Sequence, residues 1–153
     1  DPVEIALARA ELLARPPEPD PAAVLAVAQN PAQYKAKADR YRLLAGVGEV
    51  MAALGKRREA IDLFRRAAAE MPFDLGTRAA AYNLALAEKD AVVQAELLTE
   101  IGKLDGDDGP TRLVAEVTAA LATVRPGDSA KIAELRAKAK AAQAKRDRWA
   151  QVY

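Results

Sequence analysis

The stretch DGDDGPT, residues 105–111, gathers acidic side chains in a loop and raises the question of a cation. Asp105, Asp107 and Glu116 stand at positions 1, 3 and 12 of a calcium-binding helix–loop–helix, where carboxylate oxygens would ligate the ion. The pattern breaks at the turn. Gly109 occupies position 5 and Pro110 position 6, where the sharp bend needs a glycine. The same residues read more simply as a turn leading into a helix, with Asp108 or Gly109 at the cap and Pro110 in the first helical position. No metal site is expected.

Other chemistry is scarce. The chain has neither Cys nor His. That excludes disulfides, thiolate ligands and thiol nucleophiles, and removes the commonest general base and nitrogen ligand. Ser129 is the only serine and reads as a helix cap. Glycine-rich phosphate loops of the GxGxxG or GxxxxGK[ST] type are absent. No carboxylate pair has neighbours that would raise a pKa. Tyr34, Tyr41 and Tyr82 fall on helical stretches, where packing is the ordinary role of such a ring. The expectation is a protein that is not an enzyme and needs no cofactor.

Charge is balanced overall, at +1, but unevenly placed. Residues 88–108 carry −5: Glu88, Asp90, Glu96, Glu100, Asp105, Asp107 and Asp108 against Lys89 and Lys103. Residues 129–153 carry +5: Lys131, Arg136, Lys138, Lys140, Lys145, Arg146 and Arg148 against Glu134 and Asp147. These bases spread around their helix, and only Trp149 and Tyr153 could stack on nucleobases, so nucleic acid is disfavoured as a partner. No apolar run approaches the ~20 residues of a membrane span.

The elements that must position these residues are helices. Of 153 residues, 37 are Ala, which favours helix and close helix packing while burying little area. Asp1–Pro2, Asp20–Pro21 and Asn30–Pro31 repeat a cap-then-proline start. The first helix places Ile5, Ala8 and Leu12 on one face. The third, expected from Pro31 to about Leu54, carries a stripe of Ala38, Tyr41, Ala45, Gly48 and Ala52 with Leu44, Val47 and Met51 beside it. Gly55 ends it. The next, to Met71, faces inward through Ala60, Ile61, Phe64, Ala67 and Ala68, and Pro72 stops it. Arg58, Asp62 and Arg66 form i,i+4 pairs on its outer side. A short link makes these two helices an antiparallel hairpin. Towards the C terminus, Leu113, Val117, Leu121 and Val124 pack one helix, and Ile132, Leu135, Ala139, Ala142 and Trp149 form the seam of another.

The hairpin resembles a tetratricopeptide repeat, a unit of about 34 residues. Leu44, Val47–Gly48 and Met51 take the helix A positions, Gly55 closes that helix, and Ala60, Phe64, Ala67 and Pro72 take the helix B positions. The family often has Trp where Leu44 stands and Tyr where Met51 stands. Residues 41–74 form the best repeat. Residues 75–107 form a degenerate second, with Ala81 and Leu84 in helix A and Val93, Leu97 and Ile101 inward in helix B. The resemblance implies an all-α fold of antiparallel helical hairpins stacked as a short right-handed superhelix over residues 1–153. The start without Met and the uncapped end RDRWAQVY suggest a fragment or a processed chain, soluble in a bacterial cytoplasm or periplasm.

In that family helix A residues line a concave groove. Carried over, Arg42, Ala45, Glu49 and Ala52 come from the first repeat and Arg78, Tyr82 and Ala85 from the second. Arg42, Glu49, Arg78 and Tyr82 are therefore the candidate partner-binding residues, and groove binding requires Tyr82 to be exposed. The Lys/Asn set that some members use to hold a peptide carboxylate is missing, with Ala45 and Glu49 where it would begin. The expected function is a non-catalytic interaction or scaffold module for a peptide or protein partner. The alternatives are a docking segment of a larger enzyme or envelope assembly, and nucleic-acid binding through the basic C-terminal helix.

Overall fold

The computed structural model describes residues 1–125 and 127–152, with side chains as far as Asp147. Trp149 and Tyr153, expected on the C-terminal seam and as stacking rings, lie outside the described side chains. The described residues form eight α-helices and a short 3-10 turn, with no β-strand among them. The chain divides into two compact units, Asp1–Ala91 and Val92–Tyr153. The boundary falls within the segment 75–107.

The first unit contains α1 (Pro2–Leu13), α2 (Pro21–Val27), the 3-10 turn Pro31–Gln33, α3 (Lys37–Ala53), α4 (Arg57–Glu70) and α5 (Gly76–Glu88). Asp1 caps α1 by accepting from the Val3 amide at 2.8 Å, and Asp20 caps α2 by accepting from Ala23 at 2.9 Å. The third cap-then-proline pair behaves differently. Asn30 makes no side-chain cap, the helical turn stops at Gln33, and Tyr34 is extended. The Arg40 guanidinium donates to the Tyr34 and Lys35 carbonyls at 3.0 and 2.8 Å, so it satisfies backbone acceptors that a continuous helix would have used. Accordingly α3 starts at Lys37 rather than Pro31.

Helix α3 is the centre of the unit, packed against α1, α2 and α4. Two glycines serve opposite sides of it. A Cβ on Gly46 would lie 2.6 Å from Leu7 Cδ2 of α1, and one on Gly48 would lie 3.0 Å from Phe64 Cε1 of α4. Two residues apart on a helix are about 200° apart around its axis, so each glycine meets a different neighbour. The core between α3 and α4 is Leu43, Leu44, Val47 and Met51 against Ala60, Leu63, Phe64 and Ala67, all buried. The expected inner face of α4 is buried throughout. Gly55 takes a left-handed φ of +73° between the helices, which a side chain would resist. Arg40 meets Glu70 at 2.8 Å, joining the start of α3 to the end of α4, so the pair is antiparallel.

Long side chains set the remaining directions. Arg57 at the start of α4 reaches Glu88 at the end of α5 at 3.0 Å, so these two are also antiparallel. Arg42 of α3 meets Asp1 and Glu4 of α1 at 2.8 and 3.4 Å while Gly46 meets Leu7, so α1 and α3 run parallel. Arg66 of α4 donates to the Ala28 carbonyl after α2 at 3.0 Å. The bases of α4 thus tie it to its neighbours. The expected Arg58–Asp62 and Asp62–Arg66 pairs do not form, because Arg58 leans toward Glu88 at 3.9 Å and Arg66 is taken by Ala28.

The face of α1 is also reversed from expectation. Val3 and Ala10 are buried, whereas Ile5 and Leu12 are 72% and 64% exposed. Apolar residues lie on both sides of this helix, and the side that Gly46 admits closest is the one buried.

The second unit contains α6 (Ala91–Asp105), α7 (Pro110–Leu121) and α8 (Ser129–Val152). In α6, Leu97 and Ile101 are fully buried, as expected of an inward face, and Val93 is half-buried. Helices α7 and α8 pack on each other. Lys145, late in α8, donates to the Asp108 carbonyl just before α7 at 2.8 Å, so the two helices form an antiparallel hairpin. Asp128 caps α8 by accepting from the Lys131 amide at 3.0 Å.

Candidate functional site

The four groove candidates do not gather into one open site. Arg42 is exposed, but its guanidinium is engaged by Asp1, Glu4 and Asp39, where it fixes the start of α1 on α3. Arg78 is half-buried and donates to the Asp74 carbonyl at 2.6 Å. Tyr82 is only 3% exposed, so the required exposed ring is absent; it is a core residue of α5 with Ala81 and Ala85. Leu84, expected near the bulky position of that helix, is half-buried. Glu49 is exposed.

A residue that the sequence pattern did not single out organises this face. Asp74 accepts from the Gly76 amide at 3.2 Å, from the Thr77 amide at 2.9 Å and from the Thr77 hydroxyl. Tyr41 of α3 adds its hydroxyl to the same carboxylate. Burial pushes the Asp74 carboxyl upward, but these four donors together outweigh it and hold the group below the usual carboxylate range. The Tyr41 hydroxyl is correspondingly raised, by burial first and then by the negative charges of Asp74 and Glu49. The signal was an acid three residues before Thr77 at a helix start. Its second partner, Tyr41, is too distant in sequence to be anticipated.

The acidic loop of the second unit is committed to the fold. Asp105 Oδ2 accepts from the Thr111 and Arg112 amides at 2.6 and 3.1 Å and so caps α7 from the preceding helix. Asp107 pairs with Arg112, and Asp108 with Lys145 at 3.3 Å. Gly109 is at the cap position of α7, but the capping oxygen comes from Asp105, not from Asp108. Among the described residues no group of three or more acidic, Cys or His side chains is arranged to hold a metal ion.

Gly109 is needed for space, since its φ of −59° suits any residue. A Cβ there would lie 2.1 Å from the Asp105 Cγ and 2.4 Å from the Asp105 carbonyl oxygen. Backbone cannot yield as a flexible side chain does. Gly109→Ala is expected to cost about 2 kcal/mol through overpacking and a displaced cap. Amide hydrogen exchange would show it as faster exchange across α7 with α4 unchanged; equal protection in both proteins would refute it.

An open apolar cleft lies within the α7–α8 hairpin. Val117, Leu121 and Val124 form one wall, and Ile132, Leu135 and Ala139 form the other, with Arg125 and Arg136 at the rim. Its volume is about 450 Å³, within the range of small binding pockets. These are the residues expected to pack the two helices together. Val117 and Leu135 do so, at 7% and 3% exposure. Leu121, by contrast, is 53% exposed, and Val124 and Ile132 are half-buried. The seam between the helices is therefore closed at its floor and open at its lip.

Several basic residues of α8 are engaged. Lys131 and Lys138 approach Glu134 at 2.9 and 3.6 Å, and these lysines hold its carboxyl below the ordinary value. Lys145 is taken by Asp108. Arg136 faces the cleft instead. No helix among the described residues is long and apolar enough to cross a membrane.

Comparison with protein-family models, with curated proteins and with solved structures finds no match to this chain.

Proposed function

We propose that this chain is a non-catalytic interaction module that holds a peptide or a helix of another protein on its helical surface. The observation that carries this reading is the α7–α8 cleft, an apolar recess left open between two packed helices. Its residues include no nucleophile and no acid or base pair, and its lining suits side-chain burial.

The tetratricopeptide-like reading belongs with this proposal. The first unit alternates helices in the manner of such arrays. Helices α1 and α3 run parallel as successive A helices, α4 returns between α3 and α5, and Gly48 lies against Phe64 where the repeat pattern brings a small residue against a ring. This supports a short right-handed stack as the scaffold that displays the binding surface. Nucleic acid is the weaker reading, because three lysines of α8 are already engaged by Glu134 and Asp108.

A random-peptide display selection against the full chain tests the proposal. The expected result is reproducible enrichment of one sequence class, whose members bind as isolated peptides in solution. Failure to enrich any class would remove the interaction reading.

A further inference from the structure

The cleft of the second unit has a chemistry specific enough to name what fits it. Its floor and walls are aliphatic: Val117, Leu121, Val124, Ile132, Leu135 and Ala139. Among the described residues its charged lining groups are Arg125 and Arg136, both exposed, and no carboxylate lines it. Among the described residues neither guanidinium forms an ion pair, although carboxylates elsewhere in this unit draw in their neighbouring cations. The recess therefore offers burial to apolar side chains and two exposed positive charges to acidic ones.

We infer that the α7–α8 cleft binds an acidic amphipathic helix of another protein, seating its apolar side chains between Leu121 and Ile132 and its carboxylates on Arg125 and Arg136. Two antiparallel helices present ridges and a groove into which a third helix packs. One wall runs from Val117 on α7 to Val124 just beyond its end, and the other from Ile132 to Ala139 on α8, the latter roughly 10 Å of helix at the usual rise. That length seats two apolar side chains one turn apart, the i and i+3 or i+4 anchors of a helix laid in a groove. Charge complementarity sets the sign of the partner. A basic helix would meet two like charges at the rim, and a nucleic acid would leave the aliphatic walls without a use.

This inference rests on the interaction-module reading and names the partner for its site. The test uses the full chain and a labelled, end-blocked peptide of fourteen residues, with leucines at i and i+4 flanked by glutamates. A second peptide has every glutamate replaced by lysine. Fluorescence anisotropy is expected to give a Kd on the order of 10–100 μM for the acidic peptide. The basic peptide should bind at least ~10-fold more weakly, since pairs are lost and repulsions gained. Leu121→Glu, at an exposed position, should weaken the acidic peptide by ~10-fold or more. Arg136→Glu should do so by about 5-fold and narrow the preference between peptides. Circular dichroism of both variants should match the parent.

Equal binding of the two peptides would overturn the inference, as would affinity unchanged by Leu121→Glu. So would a dimer in sedimentation that Leu121→Glu dissociates, which would assign the cleft to a second copy, or tighter binding of oligo(dT) than of the acidic peptide. If display selection yields binders that Leu121→Glu does not affect, the module reading stands and this site falls. If neither selection nor the designed peptide binds, both fall.

Discussion

Phe64→Ala is expected to lower the unfolding free energy by about 3–5 kcal/mol, the usual cost of removing a buried aromatic ring. The ring is 4% exposed, on the inner face of α4. It lies against Gly48 so closely that a Cβ there would be 3.0 and 3.2 Å from two of its carbons. Gly48 has no side chain to move into the void. Leu44, Met51 and Leu63 are buried in the same α3–α4 core and limit how far the two helices can close on the void. Small domains have a total stability of about 5–15 kcal/mol, so the loss is a large part of it. Urea unfolding followed by circular dichroism reads it as a lower midpoint. Gly48→Ala supplies the cross-check. Alone it crowds the ring and gains helix propensity, so its net effect is small. Combined with Phe64→Ala, its methyl enters the void, and the double variant should be more stable than the sum of the two single effects. A Phe64→Ala loss under 1 kcal/mol, or strict additivity, would show that ring and glycine do not pack as a unit.

The contact between Gly48 and Phe64 was legible because both residues sit in one hairpin at helical spacing. The same holds for Asp1, Asp20 and Gly55, whose roles depend on a few adjacent residues. What escaped is what a distant segment decides. Helix α1 carries apolar residues on both sides, and its packing on α2 and α3, with Leu7 against Gly46, decides that Val3 is buried and Ile5 exposed. Asp62 stood at ideal spacing for two arginines, but those arginines reach farther to Glu88 and Ala28. Tyr82 was placed on the groove by the repeat period and is buried in α5. In the C-terminal hairpin the apolar spacing correctly marked Val117 and Leu135. It could not show that nothing within α7 and α8 covers Leu121, because periodicity gives the face of a helix and not the number of layers upon it. The candidate site emerged from that difference.

The second large effect is expected at Asp74. Asp74→Ala removes the acceptor for the Gly76 and Thr77 amides at the start of α5 and leaves the Thr77 hydroxyl, in a residue only 5% exposed, and the Tyr41 hydroxyl without their carboxylate. A lost cap together with stranded donors costs about 2–3 kcal/mol. The carboxylate also links stability to pH. Burial raises its pKa, and the donors lower it further than burial raises it, so the folded value lies below the unfolded one. More protons bind the unfolded chain in that window, so the stabilisation is complete at neutral pH. It declines from about pH 5 downward and is gone once the pH has passed below the folded pKa. Glu70, lowered chiefly by its hydrogen bond from Arg40, slopes the same way and persists when Asp74 is changed. Asp74→Asn separates the two contributions. Asparagine caps a helix about as well as aspartate and accepts from the same amides, but it does not titrate. The stability advantage of the parent over Asp74→Asn should therefore be greatest near pH 7 and shrink steadily toward pH 3. Parallel stability profiles for the two proteins across that range would mean that the charge on Asp74 adds nothing to folding beyond the hydrogen bonds that asparagine also accepts.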